Sequence, residues 1–177
     1  MGQAGRDTVN NWGPDTYGDP CRQCRFRWSM SQDEAVELVS GIPAEFSRLL
    51  QGVDGRRRHP ELEWPVVAYV CHVSDNLGIW AERLAGLALG DVGAVAPYDQ
   101  DLLAQARRYD DVAVAGALWS LERAAGDWRR AVEMADQVGI TLIHPERGEN
   151  SLLDVVRTNA HDARHHAWDI ERTIDGS

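Results

Sequence analysis

Lysine is absent from these 177 residues, and all 18 basic side chains are arginine. That excludes a Schiff-base lysine and the lysine of a phosphate-binding loop. An excess of positive charge is missing too. Asp and Glu number 28 against those 18 arginines, a formal net charge of -10, so no basic stripe exists to neutralise nucleic-acid phosphates. The short run Arg56-Arg57-Arg58 reads as a solvated loop. No apolar run approaches the roughly 18 residues of a membrane span, and the opening Met1-Gly-Gln-Ala-Gly-Arg-Asp7 lacks the apolar core of a signal peptide. A cytoplasmic, reducing setting is therefore expected, with neither membrane nor nucleic acid as partner. Cysteine is scarce, with three in the chain, which rules out a four-cysteine zinc ribbon. Missing lysine beside abundant Ala, Gly, Val and Asp points to a GC-rich genome.

What is present is helical periodicity, without a convincing strand run. Residues 1–20 are rich in Gly, Asn, Asp and Pro and read as an extended lead-in. Ser31-Gln-Asp-Glu34 is a capping box that opens a helix through Leu50, kinked or broken at Gly41-Ile-Pro43. Pro65 suits the first turn of a second helix ending at Gly90, and Asp110 or Asp111 opens a third that stops before Gly139. Ser151-Leu-Leu-Asp154 is a further capping box, starting a fourth helix that runs to about Ile174. The expected fold is all-α, a four-helix bundle over 31–177 preceded by an irregular N-terminal segment, 1–30. The long connection between the second and third helices reads as a crossover or a lid. A bundle of this length buries roughly two thirds of its unfolded surface as one domain.

Three of the six histidines lie in the fourth helix, within Asn159-Ala-His161-Asp162-Ala-Arg-His165-His166-Ala-Trp168-Asp169-Ile170. At about 100° per residue this stretch holds two i,i+4 pairs, Asp162/His166 and His161/His165, each able to chelate a metal from one face. The apolar arc of Leu152, Val156, Ala163, Ala167, Ile170 and Ile174 decides between them. His166 falls about 65° from its centre with Asp162 on the same flank, whereas His161 and His165 point away. On the second helix, His72 borders the arc of Val66, Val70, Val73, Leu77, Trp80 and Leu84, and Asn76 shares its face one turn on. Burying Asp162 unpaired costs several kcal/mol, which a cation shared with two imidazoles relieves. Two histidines and one carboxylate leave coordination positions open, the arrangement of a reactive metal.

His72-Val-Ser-Asp-Asn76 and Asp162-Ala-Arg-His165-His166-Ala-Trp-Asp169-Ile170 resemble the metal-binding signatures of the DinB-like superfamily, over roughly residues 31–174. That superfamily includes bacterial thiol-dependent S-transferases and mycothiol-dependent maleylpyruvate isomerases. The resemblance implies a divalent metal held by one residue of the second helix and an i,i+4 pair of the fourth. The family pattern places the last ligand four residues before the apolar Ile170, which selects His166 and makes Asp162 its partner; many members have histidine there, and the isomerase branch has glutamate. A rival frame takes His161 and His165 as the inward ligands, against the apolar arc. The implied activity is a metal-dependent transfer or isomerisation, in which a low-molecular-weight thiol such as mycothiol, bound to the metal as thiolate, attacks an electrophilic small molecule. Zinc is the expected metal, with nickel, manganese and iron as alternatives. His72, Asp162 and His166 would be the metal and catalytic residues. Asn76 and Asp169 would orient the ligands, and Tyr98 and Asp99 could contact substrate. The alternative function is a metal-binding bundle with a Lewis-acid role in a lyase or cyclase, or a non-catalytic stress protein. A homodimer is compatible with either.

Cys21-Arg-Gln-Cys24 can be read as a redox pair, half of a zinc site, or two ordinary thiols. His161 and His165 carry the histidine spacing of a two-cysteine, two-histidine zinc site, so the N-terminal segment is expected to fold over the fourth helix and complete a second site there. Cys71 reads as a small core hydrophobe. His59 and His144 are expected to be exposed in loops, Trp80, Trp119 and Trp128 to be in the core, and Trp168 to lie on the polar face beside His161 and His165.

Overall fold

In the computed structural model, which describes residues 13–90, 93–144 and 148–176, the elements follow in the order α1 (Pro14–Tyr17), α2 (Gln32–Leu49), α3 (Val66–Ala88), α4 (Gln100–Arg107), a 3₁₀ turn (Tyr109–Asp111), α5 (Val114–Val138), β1 (Thr141–His144), β2 (Gly148–Ser151) and α6 (Leu152–Asp175). Both capping boxes form. Ser31 Oγ accepts from the Glu34 N–H at 3.2 Å while the Ser31 N–H donates to Glu34 Oε2 at 2.8 Å. Ser151 and Asp154 repeat the exchange at the start of α6.

The four long helices, α2, α3, α5 and α6, form the bundle. α2 and α3 each pack against both α5 and α6, so α2 and α3 sit on a diagonal although they follow each other in sequence. The connection Leu50–Pro65 makes that crossing. It passes so close to the start of α5 that a Cβ on Gly55 would lie 2.5 Å from Val114 Cγ2, and the Gly55 carbonyl accepts from the Val67 N–H at 2.9 Å. Arg57 in the same connection donates to the carbonyls of Thr173 and Ile174 at 2.9 and 2.7 Å, closing the C-terminal end of α6. At least one arginine of the run expected to be solvated therefore has a structural task. Each large side chain wholly buried in this core, Phe46, Leu77, Leu84, Leu121, Trp128 and Ile170 among them, contributes about 1.5–3 kcal/mol by leaving water.

Several expectations are corrected. The lead-in contains the helical turn α1 rather than extended chain throughout, and residues 1–12 lie outside the described part. α2 runs unbroken through Gly41 and Pro43, because Ala35, Val39, Ile42 and Phe46 bury one continuous face. α5 begins at Val114; Asp110 and Asp111 belong to the preceding 3₁₀ turn. The α3–α5 connection is built, with α4 capped by Asp99 and with Ala94 bridged to Ile143. β1 and β2 form an antiparallel pair, Thr141 opposite Ser151. His59 and His144 are buried, and Trp119 is 62% exposed beneath the Arg123 guanidinium. Trp80 and Trp128 are in the core as expected. No helix among the described residues is long and apolar enough to cross a membrane.

Candidate metal centre

α3 and α6 run side by side, and the flank of each apolar face meets the other. There His72, Asp162 and His166 place one donor atom apiece within 4.8 Å of one another. His72 Nε2 lies 3.4 Å and His166 Nε2 3.6 Å from the same oxygen, Asp162 Oδ1. His72 is buried, whereas the Asp162 side chain keeps 26% of its exposure and faces a cavity. The Asn76 amide, one turn along α3 from His72, donates to Asp162 Oδ2 at 2.9 Å, and the Tyr98 hydroxyl donates to Asn76 Oδ1 at 3.2 Å. His166 Nδ1 lies 2.9 Å from Asp169 Oδ2, which assigns a proton to Nδ1 and turns Nε2 toward Asp162. The rings of Trp64 and Tyr69 pack near the two imidazoles.

The electrostatics follow from this crowding. Burial opposes the charged form of His166, but the Asp162 and Asp169 carboxylates outweigh it and raise its pKa to about 9. Burial likewise opposes charge on Asp162, and the His72 and His166 imidazoles override it, holding the carboxyl well below its usual range. The donor set suits a divalent cation: two imidazole nitrogens and a carboxylate converge, and the cation would take the place of the positive charge that the carboxylates favour on His166.

Beside the three donors lies a polar cavity of about 260 Å³, walled by Trp80, Arg83, Tyr98, His144 and Asn159. Larger grooves of about 600 and 410 Å³ open elsewhere, away from these donors. Of the two residues expected to contact substrate, Tyr98 is at the cavity. Asp99 instead spends its carboxylate on capping α4, accepting from the Asp101 and Leu102 N–H groups. Sequence reasoning missed His144 and Asn159. Asn159 is wholly buried, accepts from Trp128 Nε1 at 2.9 Å, and its Nδ2 has no hydrogen-bond partner among the described residues. A polar residue one turn before Asp162 was the available signal; for His144, in a β-hairpin too short to foresee, there was none.

The other i,i+4 pair of α6, His161 and His165, lies next to Cys21 and Cys24, their donor atoms again within 4.8 Å of one another. The end of α1 and the residues between α1 and α2 cover this face. Tyr17, Phe26 and Trp28 surround the His161 ring at 4.5, 5.4 and 4.6 Å between centroids, leaving His161 only 5% exposed. Burial, with His165 adding to it, lowers the His161 pKa to about 4 and keeps it neutral. Burial raises the Cys24 thiol to about 11 although the Phe26 N–H bonds its sulfur. Trp168 contacts the His165 ring at 5.5 Å, as expected. Cys71 is buried and free.

Fold and donors together define a class: helical bundles with a histidine and carboxylate cluster between two facing helices. The chain belongs to the DinB superfamily, whose family model matches residues 27–170. The bundle is also similar to YfiT from Bacillus subtilis, described as a probable metal-dependent hydrolase with an unusual four-helix bundle topology. The two share 17% identity at a TM-score of 0.70, over 80% of this chain and 85% of that one, a likeness of fold. No curated protein sequence matches the chain.

Proposed function

We propose that the chain is a metal-dependent enzyme in which His72, Asp162 and His166 hold a divalent cation and a low-molecular-weight thiol is the nucleophile. The observation that carries this reading is the convergence of three donors from two helices beside a polar cavity. Membership of the superfamily supports it, and so does the resemblance of the α3 and α6 motifs to its thiol-dependent branches. A cation so held supplies a Lewis acid that favours the ionised form of a thiol or a water at neutral pH. Zinc suits two imidazoles and a carboxylate with coordination positions left open; nickel, manganese and iron take the same ligands.

The surrounding residues prepare the site. Asp169 keeps the proton of His166 on Nδ1, so that Nε2 faces the centre. Tyr98 fixes the Asn76 amide, whose N–H fixes Asp162. Arg83, stacked on Trp80 at 4.8 Å and also facing the Tyr98 ring, puts a positive charge on the cavity wall, suited to a substrate bearing a carboxylate. Asn159 Nδ2, without a hydrogen-bond partner among the described residues, offers a donor on the same wall.

Hydrolysis is the second reading, supported by the description of YfiT. The two separate in one assay. Zinc-loaded protein is given an aryl halide electrophile with and without mycothiol or cysteine, and in parallel an activated ester or amide without thiol. Metal-dependent S-conjugation supports the proposed function; metal-dependent cleavage of the ester or amide alone moves the chain to the hydrolases.

A further inference from the structure

We propose that Cys21, Cys24, His161 and His165 bind a second, structural zinc ion that fastens the N-terminal segment onto α6. Two sulfurs and two imidazoles come from two separate stretches of chain, and all four donors lie within 4.8 Å of one another. Zinc bonds of about 2.3 Å to sulfur and about 2.0–2.1 Å to nitrogen in a tetrahedron require donors roughly 3.3–3.8 Å apart. Cys21 Sγ already lies 4.0 Å from His165 Nδ1, so only a small contraction is needed.

The turn that carries the cysteines is shaped for it. Arg25 adopts a left-handed φ of 63°, its N–H reaches the Cys21 carbonyl at 3.0 Å, and the Cys21 N–H reaches the Phe26 carbonyl at 2.8 Å. The chain thus reverses straight after Cys24, and the Phe26 N–H points at the Cys24 sulfur, as a metal thiolate wants. On α6 the i,i+4 spacing puts both imidazoles on one face. His161 Nε2 is buried with no hydrogen-bond partner among the described residues, a cost that a metal complex relieves by fixing the imidazole and its tautomer.

Four protein ligands under a cover of Tyr17, Phe26 and Trp28 leave no open position, the mark of a structural site. The two metal sites then interleave on the same turns of α6, with His165 adjoining His166. The N-terminal segment is thereby fixed beside the catalytic cluster.

The test uses the full chain, purified under nitrogen after growth with zinc, then exchanged with Co²⁺. Because the first cluster has no sulfur, a sulfur-to-cobalt charge-transfer band in the near ultraviolet reports this site alone, whatever becomes of the first. Wild type is expected to show the band and to hold about one more zinc than C21S/C24S. The band persists in His166→Ala and vanishes in C21S/C24S. Should that double variant fail to fold, His165→Ala keeps both sulfurs and is expected to lose zinc to a chelator at least about 100-fold more readily. Absence of the band from wild type, a Cys21–Cys24 disulfide in the freshly purified chain, or unchanged zinc retention in His165→Ala overturns the proposal.

Discussion

Asp162 accepts from the Asn76 amide and lies within 3.6 Å of two imidazole nitrogens, so its charge decides how the cluster behaves. In the metal-free protein His166, with its pKa raised to about 9, is the protonated partner at neutral pH. Its contribution to folding is fully present below the ordinary histidine value of about 6.5 and is lost as pH rises through about 9. Cation capture requires the Nε2 proton to leave. The apparent affinity should therefore climb about tenfold per pH unit up to about 9 and flatten above it. Calorimetry at pH 7.5 in two buffers of unlike ionisation enthalpy should find about one proton released per ion at this site, read in C21S/C24S to silence the other; no release contradicts the picture. Asp169→Asn keeps the size of the side chain but gives His166 Nδ1 a weaker acceptor. Metal affinity is expected to fall 10- to 100-fold, roughly, in competition with a chromophoric chelator.

The elements that sequence periodicity could read are those with repeated signals. α2 and α6 announce themselves by capping boxes, and α3 by an apolar arc whose members Val66, Val70, Val73, Leu77, Trp80 and Leu84 are all buried. Ser151→Ala should accordingly cost about 1 kcal/mol, read as a lower melting temperature, since it removes the acceptor for the Asp154 N–H. The missed elements are short or depend on distant chain. α1 and β1 are each four residues long, and β1 is held between β2 on one side and the distant residues 93–95 on the other. Trp119 faces outward since α5 contacts neighbours along only part of its surface, and aromatic character alone does not say which part. Gly55 is another position whose role arises solely from the fold. Gly55→Ala should destabilise by roughly 1–3 kcal/mol in chemical denaturation, because Val114 must move; an unchanged midpoint would mean that the Leu50–Pro65 crossing is loose.

At the scale of the molecule, α6 presents two donor pairs to two different partners. Helical phase alone separated Asp162/His166 from His161/His165, and the structure sets the first pair beside His72 and the second beside the two N-terminal cysteines. The cavity was not readable in the same way, because Arg83, Tyr98, His144 and Asn159 come from four different stretches of chain and no local pattern ties them together. The proposed reaction rests on the three-donor centre. Its most direct test is metal content measured together with thiol-dependent S-conjugation in His72→Ala, Asp162→Ala and His166→Ala, with His161→Ala alongside. Each of the first three should lose the reactive metal and at least about 1,000-fold in activity while keeping the cobalt–sulfur band, and His161→Ala should retain the reactive metal. Metal and activity surviving in the first three, or lost only in His161→Ala, would contradict the assignment.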